Sequence, residues 1–121
     1  MSDPVVWFNP ACSKCRTAQG ILTEHGADAT YLDYLHHPPT RSELRRVLSM
    51  IGTDDARTIA RIHEPLWAEL RLDEVSNDEI LAALAEHPAL IERPIVIVGD
   101  RAVLARPPER VLELLGDPPP A

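Results

Sequence analysis

Residues 5 to 16, Val5-Val6-Trp7-Phe8-Asn9-Pro10-Ala11-Cys12-Ser13-Lys14-Cys15-Arg16, restrict the fold more than any other part of the sequence. Val5 to Phe8 is short, β-branched and aromatic, the composition of a buried strand, and Asn9-Pro10 is a turn signal that ends it. From Ser13 onward Cys15, Ala18, Ile21 and Leu22 recur at intervals of three and four, the period of a helix with one buried face, and Gly26 marks its end. Cys12 then falls at or beside the N-cap. There the first backbone N–H groups lack intrahelical partners and the helix dipole is positive, so a thiolate or a bound oxyanion is stabilised. A free cysteine of pKa about 8.5 is mostly thiol at neutral pH. The helix start, with Lys14 and Arg16 nearby, biases Cys12 towards the nucleophilic form.

Cys12 and Cys15 form a C-x-x-C that follows a strand and opens a helix, the setting of a thioredoxin-like redox motif. Zinc would need two more ligands, and the adjacent His36 and His37 lack ligand spacing, so no metal site is expected. The pair before Pro38-Pro39 reads as exposed loop. A structural disulfide is not expected in a chain that opens Met1-Ser2-Asp3-Pro4, without a secretory pattern. Cys15 alone has two readings, a thiol that resolves Cys12 or an inert core thiol on the inward stripe.

Further along, Ala29 to Leu35 is a strand candidate, and strand, helix and strand within about thirty residues make a βαβ unit with parallel strands and a right-handed crossover. From Thr40 to His87 the pattern is helical. Thr40-Arg41-Ser42-Glu43 is a capping box for a helix through Leu44, Val47, Leu48 and Ile51 to Gly52. A second helix is expected from Asp54 or Asp55 to Ile62, and Pro65 to Leu70 is a short helix or turn anchored by Leu66, Trp67 and Leu70. Ser76-Asn77-Asp78-Glu79 is a second capping box, carrying Ile80, Leu81 and Leu84 to His87-Pro88. Ile95 to Val98 and Ala102 to Ala105, joined by Gly99-Asp100, form a hairpin. Pro107-Pro108-Glu109 opens a last helix whose Val111, Leu112 and Leu115 cover the sheet before Gly116, and residues 117–121 read as a flexible polyproline tail. The order βαβ, helices, ββα defines an α/β chain with a thioredoxin-like mixed sheet and a helical insertion at about 40–90, in one domain of 121 residues.

Nineteen acidic against twelve basic residues give a net charge of −7. Nonspecific nucleic-acid or membrane binding is therefore not expected, and any anion site must be built locally from a few arginines. With no apolar run long enough to span a membrane and no leader pattern, the expected location is cytoplasmic, where free thiols persist.

Asn9-Pro10-x-Cys12-x-x-x-Arg16, with Arg93-Pro94-Ile95-Val96 and Arg106-Pro107 far downstream, resembles the arsenate reductase family that uses glutathione and glutaredoxin, whose relatives include the Spx-type transcription regulators. The likeness runs from residue 4 to about 115. It implies a thiol-dependent arsenate reductase of thioredoxin-like fold in which the Cys12 thiolate attacks arsenate. It further implies that Arg61, in Arg61-Ile62-His63-Glu64-Pro65, Arg93 and Arg106 bind the oxyanion, and that the Arg93–Pro94 bond is cis and close to the cysteine. Arg16, one turn after the nucleophile, either supports the thiolate or faces solvent. No bound cofactor is implied; the electrons come from glutathione with glutaredoxin, or from thioredoxin.

Two features depart from the family pattern. Phe8 stands where glutaredoxin-linked members often carry His before Asn-Pro, which removes one activator of the thiolate. Cys15 gives a C-x-x-C as in the Spx-type regulators, and an internal Cys12–Cys15 disulfide would let thioredoxin or another dithiol complete the cycle. The rival expectation is a redox-sensing regulator that docks on RNA polymerase and uses this disulfide as a switch.

Overall fold

The computed structural model describes residues 3–115. Gly116 as a helix stop and the 117–121 tail lie outside the described residues. The chain divides into two compact units, one taking the sequence up to Leu32 and resuming at Arg93, the other formed by Asp33–Glu92.

The first unit is a four-stranded sheet in the order β2-β1-β3-β4, with β1 at Val5–Trp7, β2 at Thr30–Leu32, β3 at Ile95–Val98 and β4 at Arg101–Leu104. Helix α1, Ser13–Glu24, connects β1 to β2, which run parallel; β3 pairs antiparallel with both β1 and β4. The mixed sheet of the thioredoxin-like fold is thus present. Register lines up Val6, Val96 and Val103 in one row across three strands, and these residues are 0%, 0% and 4% exposed. The row is apolar because Ala18 and Leu22 of α1, with Val111 and Leu114, close over it into one cluster. Trp7 and Ile95, one position along, are buried as well, which is why these strands read as continuous apolar runs rather than alternating ones. Gly99, at φ 63°, makes the tight turn of the β3–β4 hairpin, a left-handed backbone that glycine adopts without steric cost.

Three expectations in this unit are corrected. Strand β2 stops at Leu32, because the Asp33 carboxylate accepts from the Leu35 and His36 N–H groups and turns the chain. The last helix is a 3-10 turn, Pro108–Glu113, in which residues three apart share a face. Val111 and Leu114 are therefore the buried pair, and Leu112, expected in the core, is 43% exposed.

In the second unit α2 spans Arg41–Ile51. Thr40 Oγ1 accepts from the Glu43 N–H at 3.1 Å while the Thr40 N–H donates to Glu43 Oε1 at 3.2 Å, so the expected capping box forms in full. Gly52, left-handed at φ 106°, closes the helix. Helix α3 is Pro65–Glu69 and α4 is Asn77–Glu86, capped by Ser76. Helices α2 and α4 pack together, burying Leu44, Val47 and Leu48 with Ile80, Leu81 and Leu84.

The helix expected from Asp54 to Ile62 is only a 3-10 turn, Ala56–Ile59. Ala60 is already extended, bridging Ile91, and the Arg61 N–H donates to the Leu90 carbonyl at 2.7 Å. Backbone pairing with a distant segment outcompetes continuation of the helix here. Of the anchors expected around α3, Trp67 is buried, Leu66 is half-buried and Leu70 is 38% exposed. No helix among the described residues is long and apolar enough to cross a membrane.

Candidate active site

The loop between β1 and α1 is shaped by Asn9. Its carbonyl accepts from the Cys12 N–H at 2.9 Å and its Oδ1 from the Ala11 N–H at 3.0 Å, a side-chain turn that Asn makes well. Cys12 takes the N-cap position with extended backbone, φ −93° and ψ 122°. Its carbonyl accepts the first helical bond, from the Arg16 N–H at 3.1 Å. Arg16 Nη1 donates back to the Pro10 carbonyl at 3.0 Å, so its exposed side chain braces the loop. Arg16 thus faces solvent, one of its two sequence expectations, and in addition holds the Pro10 carbonyl.

The two cysteines are free thiols, Cys12 8% and Cys15 0% exposed. Burial pushes the Cys12 thiol up. The backbone N–H of Cys15, the Cys15 thiol, the backbone N–H of Lys14 and the positive charge of Arg93 outweigh it, and the pKa ends below its ordinary value. Those two N–H groups belong to the second and third helical positions. The Cys12 side chain makes no capping hydrogen bond of ordinary geometry as a neutral thiol, so the electrostatics of the helix start act on the charged form. Cys15 goes the other way. Burial raises it most, the negative Cys12 sulfur adds to the rise, the Asn9 N–H and Arg93 only partly oppose this, and the pKa ends at about 11.

Arg93 and Arg106 are brought together by the hairpin. Ile95 and Leu104 are paired across β3 and β4, and each arginine lies two residues outside that pair, so both emerge at the same end. Arg106 Nη1 donates to the Arg93 carbonyl at 3.1 Å. The Arg93–Pro94 bond is cis, as the resemblance implies, and Arg106–Pro107 is cis as well. Arg93 Nε is buried without a hydrogen-bond partner, while the guanidinium charge acts on both cysteines.

Of the predicted site residues, the structure unites Cys12, Cys15 and Arg93, with Arg106 fastened to Arg93 and Arg16 to the loop. Arg61 belongs to the Asp33–Glu92 unit, where it pairs with Glu64 Oε1 at 2.6 Å. His36 is exposed and its Nδ1 lies 2.6 Å from Asp33 Oδ2. Asn9 contributes more than its sequence role as a turn residue, since it also directs its backbone N–H at the Cys15 sulfur.

A thiolate beside a half-buried guanidinium can hold a tetrahedral oxyanion and attack its central atom. Fold and site together define a thioredoxin-like domain with a cysteine of lowered pKa at the helix N-cap and the Arg93 charge acting on it. The chain belongs to the ArsC family, whose model matches residues 7–114. It is 40% identical over 117 residues to the arsenate reductase of Neisseria meningitidis serogroup A, covering 95% of this chain and 100% of that protein. The arsenate reductase of Haemophilus influenzae is 41% identical over 113 residues, 92% of this chain and 97% of the relative. Among solved structures, an arsenate reductase from Vibrio cholerae superposes with a TM-score of 0.91 at 40% identity, covering 94% of this chain and 98% of that one.

Proposed function

We propose that the protein is a thiol-dependent arsenate reductase in which the Cys12 thiolate attacks arsenate held by Arg93 and Arg106, and a thiol system returns the enzyme to its reduced state. Overall, arsenic acid and a pair of thiols give arsenous acid, a disulfide and water, with arsenic gaining the electron pair that the thiols lose. The observation that carries this reading is Arg93: its charge acts on the Cys12 thiol, and its buried Nε has a hydrogen bond to give. A planar guanidinium suits an anion whose charge redistributes as an As–O bond breaks.

Family membership supports arsenate as the anion, since the relatives at about 40% identity carry that activity in their names. By resemblance Arg61 is also expected to bind the oxyanion. Arg16 acts through the loop, holding Pro10 and hence the Cys12 backbone in place. Glutathione with glutaredoxin, or thioredoxin, supplies the reducing equivalents, and the reaction belongs in the cytoplasm. The regulator reading rests on the C-x-x-C spacing alone and is not favoured.

The test is arsenite formation by purified protein with glutathione plus glutaredoxin and, separately, thioredoxin plus its reductase. Activity with either system that disappears in Cys12→Ser and falls in Arg93→Ala supports the reading. No arsenite with either system overturns it.

A further inference from the structure

We propose that Cys15 is the resolving thiol of this site, so that one chain converts one arsenate to arsenite without an external thiol and is left with a Cys12–Cys15 disulfide. The inference rests on the arsenate reductase reading and adds a second catalytic residue to it. Its geometric basis is the first turn of α1, where the cysteines occupy the N-cap and the third helical position as two buried free thiols, 8% and 0% exposed. The inert-core reading of Cys15 fits less well. The apolar cluster beneath α1 is formed by Ala18 and Leu22, further along the inward stripe, and does not include Cys15. Cys15 is fully buried, but polar groups also act on its sulfur: the Asn9 N–H, the Cys12 sulfur and the charge of Arg93.

The steps balance. In the first, Cys12 sulfur bonds to arsenic(V) and one arsenic oxygen leaves as water, giving a thioester of arsenic acid on Cys12. In the second, Cys15 sulfur attacks Cys12 sulfur: the S–S bond forms, the S–As bond breaks, and its electron pair stays on arsenic, which becomes arsenic(III). The Cys15 proton passes to an arsenic oxygen, completing arsenous acid.

The opposed acidities of the two thiols put these steps in order. While Cys12 is a thiolate, its charge and its hydrogen bond help to hold Cys15 in the protonated form. Once Cys12 is bonded to arsenic that charge is gone, whereas Arg93 still favours the Cys15 thiolate. Burial, the largest cause of the raised Cys15 pKa, remains, but the part of the shift that comes from Cys12 is lifted when the adduct forms. Because Cys15 has no exposed surface and Cys12 keeps 8%, an incoming reductant meets the disulfide at the Cys12 sulfur.

The experiment is a single turnover: fully reduced protein, freed of external thiol, is mixed anaerobically with arsenate, and arsenite and intact protein mass are measured. The same preparation is then assayed with glutathione plus glutaredoxin. We expect one equivalent of arsenite per chain, a loss of two hydrogens in mass, and a Cys12–Cys15 linked peptide. Cys15→Ser should give no arsenite and no loss of two hydrogens in the single turnover, and arsenite from that variant at the wild-type yield overturns the role of Cys15. Turnover of the wild type with external thiols but no arsenite without them overturns the role of Cys15 and leaves the reductase intact. No arsenite under any condition overturns the reductase reading itself, and the inference with it.

Discussion

Arg106 donates from Nη1 to the main-chain carbonyl of Arg93 at 3.1 Å, so one arginine of the site holds the backbone of the other. Replacing them should have different effects. Arg106→Ala removes a brace and, on the proposed reading, an anion donor, and is expected to lower kcat/KM for arsenate about 100-fold or more and stability by about 1 kcal/mol. Arg93→Met removes a buried, unpartnered Nε along with the charge. It should cost at least as much activity without lowering Tm, because an unsatisfied buried polar atom itself costs about 1–3 kcal/mol. A Tm for Arg93→Met below that of Arg106→Ala contradicts this assignment.

Alkylation by iodoacetamide should titrate at Cys12 with a midpoint below that of an ordinary cysteine. Below that midpoint Cys12 is a thiol and slow; above it the thiolate is fully present. Cys15, raised to about 11, should remain unmodified across the neutral range. Peptide mapping after brief labelling at neutral pH decides the point, and label at Cys15 contradicts the opposed shifts. The linked stability effect has a definite sign. A thiol whose folded pKa is raised contributes stability at lower pH that fades as pH rises towards about 11, and Cys15→Ala should flatten that decline.

Phe8 stands in place of a histidine activator, and the structure gives it a different task. Its ring meets Tyr31 edge-to-face at 5.1 Å between centroids and packs against the sheet cluster. Phe8→Ala should cost about 2 kcal/mol in chemical denaturation, less than a fully buried Phe truncation because the ring is only half-buried. The Cys12 alkylation profile of the folded variant should be unchanged. A shifted profile would mean that Phe8 also sets the thiol's environment.

Arg61 and Glu64 form a close ion pair, with side chains 30% and 34% exposed. Such a pair contributes up to about 1 kcal/mol, so Glu64→Gln should leave stability nearly unchanged. If arsenate takes over the arginine from Glu64, Glu64→Gln lowers KM for arsenate and Arg61→Ala raises it. An unchanged KM in both variants removes Arg61 from the anion site.

The sheet and its reactive loop are legible in the sequence because their signals are local. Val5 to Phe8, Asn9-Pro10 and the spacing of Cys12, Cys15, Ala18 and Leu22 fix a strand, a turn and a helix start without help from the rest of the chain. Thr40 with Glu43 likewise announces its capping box. Sequence and structure part where a distant partner decides: Ala60 leaves its helix for Ile91, and the last segment adopts a three-residue repeat that buries Leu114 in place of Leu112. Within the site, the arginine types are readable, but the bond of Arg106 to the Arg93 carbonyl is not. It depends on hairpin register, which places residues thirteen positions apart at one end of a sheet.

Both cysteines of this sequence lie in a single helical turn, and only Cys12 reaches the surface. When they pair with each other, the chain has no sulfhydryl left to form a mixed disulfide with a neighbour. On the proposed pairing, oxidation therefore offers no route to a covalent oligomer of the chain, and recovery needs only a thiol that opens one disulfide.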